Sequence, residues 1–203
     1  MYMKKIMILL AGYPATGKSY LANQIIKECG EFTMVSQDDF KEKLYDQFGY
    51  DDLNEKKFLE SESWVSYYSM MRIQMYKGKQ IISDYPFSDK QYGTLNQISK
   101  TYKYEVVTIR LIGDLDVLYE RSKQRDLDSE RHLSHIVNKY HLGDALENRV
   151  KADGFLTYDV FMDRCKNKGY GKFQLGHLIE IDVTDFSKVD YPGIIKELKE
   201  IMK

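Results

Sequence analysis

A short glycine-rich segment constrains the fold of this chain more than any other feature. Residues 12–19 read Gly-Tyr-Pro-Ala-Thr-Gly-Lys-Ser, directly after the apolar run of residues 6–11 and before a helix-compatible stretch that begins at Tyr20. Strand, glycine-rich loop and helix follow one another in this order in a phosphate-binding loop, because glycines let backbone N–H groups turn toward an anion at which the helix N-terminus also points. The segment therefore predicts an α/β domain that binds a nucleoside triphosphate.

Individual residues of this phosphate-binding loop, residues 12–19, have separate predicted tasks. Gly12 and Gly17 supply backbone freedom, Lys18 adds a mobile positive charge that also serves catalysis, and Ser19 offers its hydroxyl to Mg²⁺. No Asn-Lys-x-Asp guanine signature occurs in the sequence, which favours ATP over GTP. The predicted cofactors are therefore ATP and Mg²⁺. The predicted nucleotide-binding residues of this segment are Gly12, Tyr13, Pro14, Ala15, Thr16, Gly17, Lys18, Ser19 and Tyr20.

The composition limits the partners that we expect. The chain has 203 residues, with 30 Lys or Arg, 31 Asp or Glu and a net charge of −1, so charge gives no reason to expect a nucleic-acid or membrane partner. A chain of this length suffices for one α/β domain. The two cysteines, Cys29 and Cys165, form no Cys-x-x-Cys motif and are typical of a reducing compartment. We therefore expect a cytoplasmic protein.

Apolar runs alternate with amphipathic stretches along the chain. The alternation predicts a three-layer P-loop NTPase fold with a five-stranded parallel sheet, as a single domain over residues 1–203. The charged and glycine-containing stretch at 114–176 is expected to form an inserted lid with irregular helices. Strands are predicted at residues 4–11, 32–36, 80–84, 104–112 and 177–183. Helices are predicted at 18–29, from Asp39 with Leu44 and Phe48 on one face, at 54–77 and 89–102, after Gly113, and over the stretch that carries Ile194, Leu198 and Ile201.

Acidic residues follow two of the predicted strands. Asp38 and Asp39 lie just beyond the second strand, and Asp84 ends the third. The carboxyl ends of parallel strands line the ligand crevice, so one carboxylate of the pair can accept the proton of an attacking hydroxyl, while Asp84 can reach the Mg²⁺ shell. Helix capping is the alternative task for either member of the pair, and a turn before Tyr85 is the alternative for Asp84. We expect Asp38 to be the base and Asp39 the cap.

Arginines in the predicted lid supply positive charge. Arg121 and Arg125 are four residues apart on a predicted helix, so both guanidinium groups project from one face and can clamp the same triphosphate. A solvated helix face is the alternative for such a pair, and Arg131 is a candidate third lid cation. No metal cage is predicted in this region, because a Cys or Glu at metal-ligand spacing is missing around His132, His135 and His141.

Together these motifs resemble the small P-loop kinases of the polynucleotide 5′-kinase and zeta-toxin group, which are AAA-type ATP-binding kinases. Residues 36–41, Ser-Gln-Asp-Asp-Phe-Lys, are similar to the base-bearing stretch of that group, residues 81–84 to its third-strand acidic end, and residues 120–125 to its lid. The resemblance implies that Asp38 activates the acceptor hydroxyl, that the lid arginines hold the nucleotide phosphates, and that Thr184 lies near the adenine. It implies an ATP-dependent kinase whose acceptor is a hydroxyl of a small-molecule or nucleotide-like compound.

One residue departs from the pattern of the polynucleotide kinases. Lys41, three residues after Asp38, stands where those kinases carry an arginine for the substrate phosphate. Lysine cannot form the planar two-pronged clamp of arginine, so a nucleic-acid acceptor is disfavoured. Two alternatives stay open: a polynucleotide 5′-hydroxyl kinase, and a non-kinase protein that binds ATP as a switch. The acceptor is expected between the Asp38 loop and the long helix with Trp64, Tyr67 and Tyr68.

Overall fold

The computed structural model describes residues 4–30 and 32–203, and a parallel sheet forms its centre. The strands of this part of the chain are β1 (Ile6–Gly12), β2 (Phe32–Met34), β3 (Gln80–Asp84), β4 (Glu105–Ile112) and β5 (His177–Asp182). Their order across the sheet is β2-β3-β1-β4-β5, and every neighbouring pair is parallel. The predicted five-stranded parallel sheet is thus confirmed.

Helices make the crossovers that parallel strands require. They are α1 (Lys18–Cys29), α2 (Gln37–Phe48), α3 (Leu53–Tyr76), α4 (Asp89–Tyr102), α5 (Leu115–Leu127), α6 (Tyr158–Asn167) and α7 (Tyr191–Ile201). Short 3₁₀ turns lie at Leu133–His135, Arg149–Lys151 and Phe186–Lys188. Among the helices of residues 4–30 and 32–203, none combines the length and the apolar character needed to cross a membrane.

Strand β1 is buried along its whole length because it lies in the middle of the sheet. Its side chains alternate between the two sheet faces, as the period of a strand demands. Ile8 and Leu10 belong to a cluster that includes side chains of α1 and α7, whereas Met7 and Leu9 belong to a cluster that includes side chains of α3 and α4. The sheet therefore separates two helical layers, which confirms the three-layer P-loop NTPase fold.

The start of α2 differs from the sequence-based expectation. Strand β2 ends at Met34, and α2 begins at Gln37, so Ser36 takes the N-cap position that we expected of Asp39. Both aspartates instead lie in the first turn, where a negative charge interacts favourably with the positive end of the helix. Leu44 and Phe48 share a face of α2 as expected, but Phe48 is exposed, and Tyr45 is the aromatic residue that α2 buries.

Residues 131–140, here called the docked segment, pack against α2 and α3. Tyr50 and Tyr140 form an isolated antiparallel bridge, and both rings are buried. The Lys56 side chain donates hydrogen bonds to the carbonyl oxygens of Ser134 and Val137, at 2.8 and 2.7 Å. These contacts fix part of the predicted lid region on the body of the domain. Whether the rest of residues 114–176 opens and closes stays a prediction.

Histidines of the docked segment pair with carboxylates of α2. His132 shares a 3.0 Å hydrogen bond with Asp46, and His135 donates a 2.5 Å hydrogen bond to Glu42. Burial lowers the pKa of His135 to about 4, so its imidazole is neutral at neutral pH. The histidines therefore serve the attachment of this segment to α2.

Two glycine substitutions test the packing at the end of β1. A Cβ atom on Gly12 would lie 1.9 Å from the carbonyl oxygen of Leu111, and Gly12 has a φ of +105°. We expect Gly12→Ala to lower the free energy of unfolding by more than about 2 kcal/mol, because both the overlap and the φ angle oppose a side chain. Urea denaturation of both proteins measures the change.

The matched control is Gly93→Ala in α4, where a Cβ atom would meet nothing within 4 Å. Alanine is favoured over glycine inside a helix, so this change should raise the free energy of unfolding by about 0.5–1 kcal/mol. Equal effects of the two substitutions would contradict our interpretation of the β1 end.

Candidate functional site

The phosphate-binding loop leaves the sheet at Gly12 and reaches α1 at Lys18. Gly12, Ala15 and Gly17 have positive φ angles of 105°, 61° and 80°. Glycine adopts such angles readily, whereas Ala15 adopts one at an energetic cost, which is common at functional loops. Pro14 lies in the turn between the two glycines. The loop thus has the curled backbone that an anion nest requires.

The N-terminus of α1 is free of side-chain caps. No side chain of residues 4–30 or 32–203 bonds to its first amides, and its first turn contains no acidic residue. Backbone N–H groups in the first turn of a helix have no partner within that helix, so those of Ser19 and Tyr20 face the loop with the positive helix end. The Tyr13 N–H is not among these amides, because it donates to the carbonyl oxygen of Leu111 at 3.2 Å. The helix end is therefore the part of this segment that presents amides to the loop, and anion binding there stays a prediction.

Lys18 lies over the loop and bonds to neutral oxygens. Its Nζ atom donates to the carbonyl oxygen of Tyr13 at 2.5 Å and to the Thr16 hydroxyl at 3.2 Å. Burial lowers the pKa of Lys18 to about 8, while the charge of Asp84 acts to raise it and that of Arg125 to lower it. Without a bound anion, this ammonium group is poorly compensated. An anion in the loop would stabilise its charged form.

Ser19 and Asp84 come together across the sheet edge, as the sequence indicated. The Ser19 hydroxyl donates a 2.5 Å hydrogen bond to Asp84 Oδ2. The other carboxylate oxygen, Oδ1, is buried and has no hydrogen-bond partner among the described residues. A hydroxyl and a carboxylate are oxygen donors of the kind that Mg²⁺ prefers, and an orphaned buried oxygen is costly unless a ligand meets it. This pair therefore fits a Mg²⁺ ion.

Asp38 lies on the same crevice at the first turn of α2. Lys41 Nζ donates a 2.6 Å hydrogen bond to Asp38 Oδ1. Burial acts to raise the pKa of Asp38, but the charge of Lys41 and its hydrogen bond outweigh burial and hold the pKa well below its usual range. The exposed Asp39 behaves differently, since burial and the charges of neighbouring acids raise its pKa. Of the two adjacent acids, Asp38 is therefore the one that a paired cation holds at a lowered pKa.

The predicted arginine pair does not share a partner. Arg121 donates to the carbonyl oxygens of Val183 and Thr184 at 2.6 and 2.7 Å. Arg125 instead bonds to the carboxylate of Asp126, at 3.1 Å. The carbonyls at the end of β5 draw Arg121 away from its helical neighbour, so a joint clamp on the triphosphate stays a prediction that this geometry does not support.

The loop after β5 forms the wall next to the phosphate-binding loop. The Thr184 hydroxyl accepts a hydrogen bond from the Asp114 amide at 2.8 Å. The Arg121 guanidinium lies 3.9 Å from the centre of the Phe186 ring, and a Cβ atom on Gly17 would contact that ring at 3.4 Å. Sequence reasoning pointed to Thr184 but missed Phe186, because no motif links residue 186 to the loop. This wall offers aromatic and guanidinium surfaces next to the loop.

Comparisons with known proteins agree with this geometry. Residues 7–140 match the profile of the AAA_33 family, which is described as an AAA domain. No curated protein matches the chain by sequence. A structure of a candidate kinase from Chloroflexus aurantiacus J-10-fl aligns over 100% of both chains, with 20% identity and a TM-score of 0.75.

Two further structures are similar at lower TM-scores. A gluconokinase from Sinorhizobium meliloti 1021 aligns over 99% of this chain and 94% of its own, with 11% identity and a TM-score of 0.52. Pnkp1 from a Pnkp1/Rnl/Hen1 complex aligns over 64% of this chain and 43% of its own, with 18% identity and a TM-score of 0.51. At these identities the likeness is one of fold.

The family match includes the functional elements described above. It contains the phosphate-binding loop, Asp38, Asp84 and both arginines of α5, and it spans more than half of the 203 residues. The chain therefore belongs to the AAA_33 family of P-loop domains.

Proposed function

We propose that this protein is an ATP- and Mg²⁺-dependent kinase that transfers the γ-phosphoryl group to a hydroxyl of a small-molecule or nucleotide-like acceptor. The observation that carries the proposal is the position of Asp38, which pairs with Lys41 at the sheet edge that also carries the phosphate-binding loop and the Ser19–Asp84 pair. A protein that only binds nucleotide as a switch needs the phosphate-binding loop and the Ser19–Asp84 pair, but no further carboxylate. A carboxylate beside them gives the site a group that can engage an acceptor hydroxyl.

The nucleotide would lie on the phosphate-binding loop. Amides at the N-terminus of α1 and the Lys18 ammonium group would hold its phosphates, replacing the present bond from Lys18 to Tyr13. Ser19 and Asp84 would hold Mg²⁺, which neutralises charge on the phosphate oxygens when it is bound. Thr184 and the neighbouring Phe186 ring would lie beside the adenine.

Asp38 would orient the acceptor. Lys41 occupies Oδ1, and no described residue donates a hydrogen bond to Oδ2, so that oxygen is available to the acceptor hydroxyl. As the hydroxyl oxygen bonds to the γ-phosphorus and ADP leaves, the hydroxyl proton passes to Asp38. A carboxylate of lowered pKa is a weak base, so its chief contribution is to position the hydroxyl and to accept the proton late in the reaction.

The structural neighbours support a small hydroxyl compound as acceptor. The gluconokinase and a sugar kinase from Janibacter sp. HTCC2649 share the fold over 99% and 96% of this chain. Pnkp1 shares it over 64% of the chain. A small-molecule acceptor is our first choice, a polynucleotide 5′-hydroxyl the second. In the alternative of an ATP-binding switch, no acceptor would stimulate turnover.

The first experiment measures ADP release from Mg-ATP with a panel of hydroxyl compounds. The panel contains sugars, nucleosides, nucleotide sugars, aminoglycosides and 5′-hydroxyl oligonucleotides, and Lys18→Ala serves as the blank. We expect one class to stimulate turnover and to gain a phosphate by mass spectrometry. Stimulation by the oligonucleotides alone would favour the polynucleotide kinase. Tight ATP binding without stimulation by any compound would favour the switch.

Substitution of the adjacent acids tests the assignment of Asp38. We expect Asp38→Asn to lower kcat by about 10²- to 10⁴-fold with the stimulating acceptor, because the amide cannot take up the hydroxyl proton. Asp39→Asn is the matched control, since that side chain is exposed on the same helical turn. It should change kcat by less than about threefold, the range of surface substitutions. The assignment is wrong if the Asp39 variant shows the larger loss.

A further inference from the structure

We propose that Asp126 is a positioning residue that holds Arg125 and Arg131 as a pair on the transferring phosphoryl group. The inference rests on the proposed function, because it assigns the groups that meet the γ-phosphate of the bound nucleotide. It also replaces Arg121 by Arg131 as the second arginine of the site.

Asp126 is a buried carboxylate between two guanidinium groups. The residue is 6% exposed and lies at the C-terminal end of α5. Its Oδ1 atom accepts hydrogen bonds from Arg125 Nε and Nη2, at 3.2 and 3.1 Å. Arg131 Nε lies 3.8 Å from the same oxygen. One buried oxygen atom therefore lies within ion-pair distance of both arginines.

Arg131 forms an ion pair with Asp126, but its side chain donates no hydrogen bond to any described residue. Its side chain is mostly buried, and its Nε atom has no hydrogen-bond partner among the described residues. The 3.8 Å separation from Asp126 is too long for a hydrogen bond. A buried guanidinium with unused donors is costly, and an oxyanion is the ligand whose geometry fits those donors.

The arginine pair lies between the phosphate-binding loop and α2. Arg125 is on α5, which packs against the side chain of Tyr13 in the loop through an apolar cluster. Arg131 begins the docked segment, which hydrogen bonds attach to α2, the helix whose first turn carries Asp38. A phosphoryl group that moves from the loop toward Asp38 would therefore come close to both guanidinium groups. Two guanidinium groups at this point would stabilise its negative charge.

Arg121 is unsuited to the same task. Two of its N–H groups are bonded to the carbonyl oxygens of Val183 and Thr184, and its plane lies against Phe186. Moving it to the phosphates would leave those carbonyls without their donors. Among the described residues, the Arg125 side chain bonds only to Asp126 and, at 3.4 Å, to Ser122, so its Nη1 group is available.

The test compares the affinity of the protein for nucleotides with and without a γ-phosphate. This measurement needs no acceptor. Isothermal titration calorimetry gives the Kd of Mg-ADP and of the non-hydrolysable analogue Mg-AMP-PNP for each variant. The preference for the γ-phosphate is the Kd of Mg-ADP divided by the Kd of Mg-AMP-PNP. We expect Arg131→Ala and Asp126→Asn to reduce this ratio by about tenfold, the loss expected of one charge-assisted hydrogen bond. The Kd of ADP should change by less than about twofold, and Asp126→Glu should restore part of the ratio.

Control variants separate this role from folding and from nucleotide binding itself. Asp128→Asn changes an exposed acid two residues away and should leave the ratio unchanged. Thermal unfolding shows whether Asp126→Asn folds; if it does not, Arg131→Ala and Asp126→Glu carry the test. If both nucleotides lose the same binding affinity, or if the ratio is unchanged in Arg131→Ala, the inference is wrong, whereas the proposed function is unaffected. Failure of wild-type protein to bind either nucleotide would overturn the proposed function.

Discussion

The close approach of Gly12 to Leu111 is the contact on which the site depends. The two residues pair in register at the ends of β1 and β4, and no side chain fits between them. The next amide, that of Tyr13, bonds to the same carbonyl, which fixes the direction in which the loop leaves the sheet. From there the loop reaches the N-terminus of α1 next to Asp84 at the end of the neighbouring strand. Backbone geometry in the sheet thus sets the position of the proposed phosphate and metal ligands.

Charged side chains of the crevice neutralise one another only in part. Lys41 neutralises Asp38, Asp126 partly neutralises Arg125, and Lys18 relies on neutral oxygens. Arg131 Nε and Asp84 Oδ1 are the buried atoms of this set that have no partner in the described part of the chain. One is a donor and the other an acceptor, so the site has unmet demand for both an anion and a cation. A metal–triphosphate complex carries both charges in one ligand.

Local patterns allowed much of the fold and the phosphate-binding loop to be predicted. Strand periodicity and the glycine spacing act over a few residues, and Asp84 could be placed because a strand end is visible in the sequence. The partners of Arg121 could not be predicted in this way, because its carbonyl acceptors lie 62 and 63 residues further along the chain. The helical spacing of Arg121 and Arg125 was correct, but spacing does not determine which way a long side chain turns. The predicted N-cap of α2 was wrong for a related reason, because two adjacent acids in the first turn leave the residue at which the helix begins ambiguous.

The docked segment also bears on how such a domain can exchange sequence with its relatives. The side chains of Tyr50 and Lys56 both bond to the carbonyl oxygens of Ser134 and Val137, so the packing joins residues that are 78 to 87 positions apart in the chain. A transplanted docked segment that does not fit these two side chains would expose a buried tyrosine and leave carbonyl groups without donors. The two sequence blocks thus form one exchangeable module, and a redesign must replace both blocks together.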